Sequence, residues 1–161
     1  MNPEIKSKLG VEVMRSDTSP EEILALSLLS GPDDEQHYRK IMLGFIANSV
    51  SSSPDLDKGI VYCLYKENEL IASTRIKQDE YTSSAASIEY FAVQPQYQGQ
   101  GFGKFFLESL FNKISEVWKK KFVMLATGES RAFYEKSGMK LLGKIENASG
   151  SERFYMYKEL Y

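Results

Sequence analysis

Three glycines, at positions 99, 101 and 103, stand where the strand-like run Ile88 to Val93 gives way, after Pro95, to a helical pattern. Glycine permits a backbone with positive φ and leaves no side chain between the main chain and a ligand. A helix that begins within such a turn offers several unpaired N–H groups and the positive end of its dipole. The combination predicts a cradle for a phosphate or pyrophosphate formed by Gly99, Gln100, Gly101, Phe102, Gly103 and Lys104, with Gln98 and Lys104 adding side-chain donors. The helix end alone contributes about 0.3–1 kcal/mol per exposed charge and up to ~2 when partly buried. N–H donors converging on one anion add to that. Taken in isolation, the same glycines read simply as a turn. Spacing excludes two nucleotide motifs, because a dinucleotide fold needs G-x-G-x-x-G where this chain has G-x-G-x-G, and a P-loop lysine must be followed by Ser or Thr, where Phe105 stands.

Other reactive side chains are few. Cys63 lies in the apolar run Val61-Tyr62-Cys63-Leu64-Tyr65, far in sequence from the single histidine, His37, so it reads as a buried structural thiol rather than a nucleophile. One Cys and one His cannot supply a Cys/His metal site, and none is expected. Glu89 is a carboxylate within an otherwise apolar strand, in step with Phe91 and Val93, so that alternation predicts all three on one face.

The elements that position these residues follow from periodicity. Val11 to Met14 reads as a short strand. Ser19-Pro20-Glu21-Glu22 opens a helix that Gly31-Pro32 ends, and a second helix runs from about Glu35 to Asn48. Strands are expected at Ile60–Tyr65, Leu70–Lys77 and Ala86–Val93, with a tight turn at Glu67-Asn68-Glu69 and a hairpin connection at Glu80 to Ser84. From Gly101 the period becomes helical, with Leu107, Leu110, Phe111, Ile114, Val117 and Trp118 on one face. A fully buried strand at Phe122–Ala126, a short helix at Ser130–Lys136 and two strands at Lys140–Ile145 and Arg153–Tyr157 complete the chain. This order predicts an α+β (mixed α/β) fold around one central sheet, in a single domain spanning residues 1–161.

Bulk properties agree. The 161 residues, 42% hydrophobic and 26% charged, suit one globular domain with a real core. A net charge of -2 gives no reason to expect nucleic acid or an anionic membrane as partner, and Lys119-Lys120-Lys121 reads as a solvated cluster at a helix end. No apolar run has membrane-spanning length, the N-terminus lacks the apolar block of a signal peptide, and a lone cysteine makes a cytoplasmic location the default.

Gln98-x-x-Gly101-x-Gly103, placed just after Val93-x-Pro95, resembles the coenzyme A pyrophosphate loop of the GNAT superfamily of N-acyltransferases. Ala132-Phe133-Tyr134-Glu135-Lys136-Ser137-Gly138-Met139 resembles that family's second landmark, a short helix ending in Tyr-Glu-Lys-x-Gly-Phe. Both motifs fall in register, with a helix and a buried strand between them.

The resemblance implies a mostly antiparallel twisted sheet flanked by helices, whose fourth and fifth strands splay apart to admit acetyl-CoA as cosubstrate. Pantetheine would bond to the backbone of Phe91, Ala92 and Val93, and the pyrophosphate to the N–H groups of Gly99 through Lys104, with further contacts from Gln98, Ser130 and Phe133. Tyr134 matches the tyrosine that protonates the departing thiolate; without the motif, Phe133 and Tyr134 would read as core. Amine attack on a thioester builds negative charge first on oxygen and then on sulfur, and a neutral phenol can protonate that sulfur. The amine must lose a proton, for which Glu89 is the candidate base; it reads equally as a carboxylate that orients a cationic substrate.

Three departures stand out: Thr127 replaces a frequent asparagine, Gly128-Glu129-Ser130-Arg131 differs from the common small-apolar pattern and so weakens the case for a Ser130 contact, and Met139 replaces the phenylalanine. The acceptor, a primary amine of a small molecule or peptide, would meet Asp33, Asp34, Glu35, Asn147 and Ser149, which also read as ordinary solvated loop residues. Phe154 to Tyr157 reads either as core or as an edge through which a homodimer forms. The competing function is a non-catalytic acyl-CoA sensor on the same fold, against which the retained Tyr134 argues.

Overall fold

Successive runs rich in Ile, Val, Leu and aromatic residues form the first three strands of a computed structural model, which describes residues 56–66, 69–146, 150 and 152–161. These strands are β1 (Ile60–Lys66), β2 (Glu69–Gln78) and β3 (Ala85–Val93). The strand and two helices expected between Val11 and Asn48, the turn at 67–68, and the acceptor candidates Asp33, Asp34, Glu35, Asn147 and Ser149 lie outside the described residues. The chain continues through a 3₁₀ turn at Pro95–Tyr97, helix α1 (Phe102–Glu116), β4 (Phe122–Thr127), helix α2 (Arg131–Lys136), β5 (Lys140–Glu146) and β6 (Glu152–Glu159).

The six strands form one sheet in the order β1-β2-β3-β4-β6-β5. Every neighbouring pair is antiparallel except β3 and β4, which run parallel because α1 carries the chain back to the same end of the sheet. The β2–β3 connection is held by Asp79: its Oδ2 accepts the N–H groups of Tyr81 and Thr82 at 3.0 Å each, and its Oδ1 accepts the Ser87 hydroxyl at 2.9 Å.

Helix α1 packs across β2, β3 and β4. It buries Phe102, Phe105, Phe106, Leu107, Leu110, Phe111 and Ile114 against Tyr62, Leu64, Ile76, Ile88, Val123 and Met156 of the sheet. Each such side chain contributes about 1.5–3 kcal/mol on leaving water. The end of α1 is pinned where the Trp118 indole donates to the fully buried Tyr62 hydroxyl at 2.8 Å. The lysines that follow are more than a solvated cluster: Lys120 donates to the Ser83 carbonyl at 2.8 Å and Lys121 pairs with Glu159 at 3.4 Å. Cys63 is fully buried on the opposite face of the sheet with Val61, Leu70 and Ala92, as a structural thiol should be.

Two expectations need correction. The strand at 122–126 is not fully buried: Val123, Leu125 and Thr127 are buried, Phe122 and Met124 are half-buried, and Ala126 is exposed, so β4 alternates in the manner of a strand with one covered face. The Phe154–Tyr157 run is not an edge, because β5 pairs outside β6; among the described strands β5 ends the sheet on this side, with Leu141, Leu142 and Ile145 exposed.

Candidate functional site

The site is built where two neighbouring strands part. β3 and β4 pair only at Ala85–Phe122, Ala86–Val123 and Ser87–Met124. Beyond Ser87, β3 runs on to Val93 beside β2 alone, and β4 runs on to Thr127 beside β6 alone. The sheet therefore opens into a wedge between the C-terminal ends of two parallel strands.

A bulge shapes one wall. Ser73 pairs with Ala92 and Arg75 with Glu89, so the single residue Thr74 faces both Tyr90 and Phe91. Tyr90 takes φ 53°, a left-handed conformation that costs a bulky residue about 1–3 kcal/mol. The Thr74 hydroxyl stabilises the kink by donating to the Glu89 carbonyl at 2.9 Å. A bulge bends its strand and reverses the alternation of everything after it. Ile88, Phe91 and Val93 thus face α1, while Tyr90 and Ala92 face the other way.

The expectation that Glu89 shares a face with Phe91 and Val93 is overturned for this reason. Nor is its setting apolar. The Glu89 carboxylate lies 3.4 Å from the Arg75 guanidinium and 3.7 Å from the Lys77 ammonium, an ion-paired group on the face opposite α1. Gly59, at φ 85°, allows Arg75 to lie this way, since a Cβ there would sit 2.3 Å from the Arg75 Nε.

The end of β3 is tied down on every side. Gln94 donates its backbone N–H to the Ile71 carbonyl at 2.8 Å and its side-chain amide to the Leu70 carbonyl. Gln96 and Tyr97 both donate to the Glu69 carboxylate, and the Tyr97 ring meets Phe102 edge-on at 5.6 Å. Gln98, expected to add a donor to a bound anion, directs its Nε2 to the Val93 carbonyl at 2.9 Å and so locks the turn to the strand.

On this anchored turn, Gly99 and Gly101 take φ 76° and 90°, the left-handed region that glycine alone occupies without strain. The first bond of α1 runs from the Phe105 N–H to the Gly101 carbonyl. Among the described residues, the backbone N–H groups of Gly99, Gln100, Gly101, Phe102, Gly103 and Lys104 have no protein acceptor. The first turn of α1 contains no acid. Exposed Lys104 and half-exposed Lys66 add positive charge, Lys66 lying 5.8 Å above the Phe102 ring. Such an array of oriented donors can hold a multiply charged anion such as a diphosphate. Lys66 was not singled out from sequence, because only the β1–β2 pairing carries the end of β1 to this turn.

Gly103 has a different role from its two neighbours. A Cβ there would lie 3.4 Å from both the Phe133 ring and the Val93 side chain, so glycine lets α1, α2 and β3 converge. Phe133 and Tyr134 of α2 then reach across the wedge. Their ring centroids lie 5.8 and 6.1 Å from Phe91 of β3, and Phe91 stacks on Phe106 of α1 at 5.5 Å.

Tyr134 is buried, and desolvation pushes its phenol well above the ordinary tyrosine value, partly offset by the nearby Arg153 guanidinium. Its hydroxyl donates to no acceptor among the described residues. A neutral phenol so placed can donate a proton to a group that enters the wedge. Arg153 donates to the Ala126 carbonyl at 3.4 Å and was missed in the sequence, because its position beside Tyr134 depends on β6 pairing with β4. Ser130 is exposed at the residue preceding α2 and makes no side-chain cap, leaving its hydroxyl facing solvent beside the wedge.

The structure thus brings together Phe91, Val93, the 98–104 turn, Phe133 and Tyr134, and leaves Glu89 on the other face. Its fold is that of several solved acetyltransferases. A protein of Desulfovibrio desulfuricans described as a GNAT-family acetyltransferase superposes with a TM-score of 0.78 at 12% identity, over 94% of this chain and 97% of that one. A spermidine N-acetyltransferase variant of Vibrio cholerae gives 0.72 at 12% identity over 96% and 95%, and an IAA acetyltransferase of Bacillus cereus gives 0.65 at 17% over 92% and 97%. No curated protein sequence matches the chain. The acetyltransferase (GNAT) domain model matches residues 57–140, more than half of the chain, from β1 to the first residue of β5, and the protein therefore belongs to the GNAT acetyltransferase family.

Proposed function

We propose that this protein is an N-acetyltransferase that moves an acetyl group from acetyl-CoA to a primary amine of a small molecule or peptide, and that residues 1–161 form one such domain. The observation that carries the reading is the row of six N–H groups without acceptors among the described residues, at the end of a strand that has parted from its neighbour. A diphosphate fits this row: donors are oriented, basic side chains are near and the first turn of α1 holds no carboxylate. Acetyl-CoA, when bound, supplies the activated thioester.

The rest of the chemistry belongs to the protein's own residues. The turn at Gly99–Lys104 binds, the backbone of Phe91, Ala92 and Val93 aligns the arm along β3, and Phe133 and Ser130 complete the walls. Burial of Tyr134 keeps its phenol protonated at neutral pH, ready to donate to the leaving sulfur, and Arg153 steadies the phenolate that results. Glu89, tied to Arg75 and Lys77 on the other face, is the candidate base and would take the amine's proton only through water. One neighbouring structure is a spermidine N-acetyltransferase, which makes polyamines the first acceptors to try. The buried single thiol is consistent with action in the cytoplasm.

The test is release of free thiol from acetyl-CoA in the presence of a panel of amines, including spermidine, simple aliphatic amines and peptides. Turnover with any of them supports the reading. Tight CoA binding without thiol release across the panel would replace it with a sensor role.

A further inference from the structure

Phe91 stands on the parted length of β3, four residues and about 13 Å beyond the last β3–β4 pair, Ser87–Met124, and two residues before Val93, where the strand ends ahead of the anion cradle. The bulge at Tyr90 decides which way Phe91 points: unbroken alternation along the strand would put its ring on the face of Glu89, away from α1. Once turned, the ring is held by three others from two helices, Phe106 at 5.5 Å, Phe133 at 5.8 Å and Tyr134 at 6.1 Å. Phe106 is fully buried, so this cluster is backed by core and cannot retreat.

Binding a diphosphate does not need this cluster, and proton donation needs only the Tyr134 hydroxyl. What a backed aromatic floor does beside a thioester is set the room left for the acyl group. We propose that Phe91, braced by Phe106 and Phe133, is the specificity-determining residue for the acyl donor, admitting acetyl and rejecting acyl chains as long as hexanoyl. This rests on the acyltransferase reading above and deepens it. Each methylene that finds no room in an apolar site costs about 10–200-fold. Removal of the ring would leave an apolar cavity lined by Phe106, Phe133 and Tyr134, and such cavities stay dry and take apolar guests.

The experiment compares acetyl-CoA, hexanoyl-CoA and free CoA by calorimetry with no amine present, followed by thiol release with an accepted amine. The wild-type protein should bind hexanoyl-CoA at least about 10-fold more weakly than acetyl-CoA. Phe91→Ala should close or reverse that ratio, each thioester being read relative to the same protein's own affinity for free CoA. Phe91→Leu, which keeps most of the volume and guards against misfolding, should move it part of the way. Equal binding of the two thioesters by the wild-type protein, or an unchanged ratio in both folded variants, overturns the proposal and leaves the acyltransferase reading standing. A wild-type protein that binds no CoA in any form sinks both.

Discussion

Along β3, Ala85, Ala86 and Ser87 pair with β4 on one side and the loop end of β2 on the other, whereas the stretch from Ile88 to Val93 has β2 alone. The paired end is made of small residues, with both alanines fully buried, and the sheet is continuous there. The parted end contains the bulge, the strained Tyr90 and the large Phe91, and it runs into the turn whose N–H groups lack acceptors. One strand thus carries continuous sheet at its start and leads into the candidate binding turn at its finish. A bulge strengthens local twist and bends the strand that bears it, which separates β3 from β4 without breaking its pairing to β2.

The sharpest way to break this comparison is to put charge at the parted end. Gly101→Asp should lower CoA affinity by about 100-fold or more, since it sets a carboxylate among donors meant for an anion. Gly101→Asn imposes the same left-handed strain without the charge and should lose far less; calorimetry with CoA measures both, and equal losses would mean the effect is conformational.

Tyr134→Phe comes next. Turnover should fall by about 10²–10⁴, the range for a general acid, with CoA affinity nearly intact. An unchanged rate removes Tyr134 from the mechanism. At the boundary between the two ends, Ile88→Ala should cost about 2–5 kcal/mol of stability by denaturant unfolding, because Ile88 is buried beneath α1. It should leave CoA affinity of the folded protein within a few fold; loss of binding in proportion to stability would show that the two ends are not separable.

Gln98→Ala should weaken CoA binding only a few fold, since it removes one hydrogen bond, about 0.5–1.5 kcal/mol, that fixes the turn to Val93. The smallest effect concerns alkaline pH. Burial raises the phenols of Tyr62 and Tyr134 in the folded protein, so the folded state holds those protons more tightly than the unfolded chain. Their stabilising contribution is complete below pH about 10 and is lost as pH rises through the folded values. Tyr134→Phe should therefore flatten the loss of stability above pH about 10, and a loss curve identical to wild type would deny that linkage.

Much of this was legible in the residues themselves. Every described strand and α-helix lies within two residues of its expected bounds, because short apolar runs in Ile60–Val93 and a period of 3.6 in Phe102–Ile114 report what must be buried. The turn was legible for a local reason too: Gly99, Gly101 and Gly103 are the residues that positive φ and close approach require. Where the expectation failed, at Glu89, strict alternation was assumed across a bulge. Nothing in Glu89-Tyr90-Phe91 announces an extra residue, because a bulge is defined by what it faces on β2.

The sequence by itself determined the elements, their order and the glycine turn that can hold an anion, since each of these depends on neighbours along the chain. Only the tertiary structure decided that β3 parts from β4 after Ser87, that Phe91 turns toward α1 while Glu89 turns away, and that Lys66 and Arg153 reach the site. Those outcomes depend on pairing between residues distant in the chain, and a one-residue shift in that pairing reverses every face that follows.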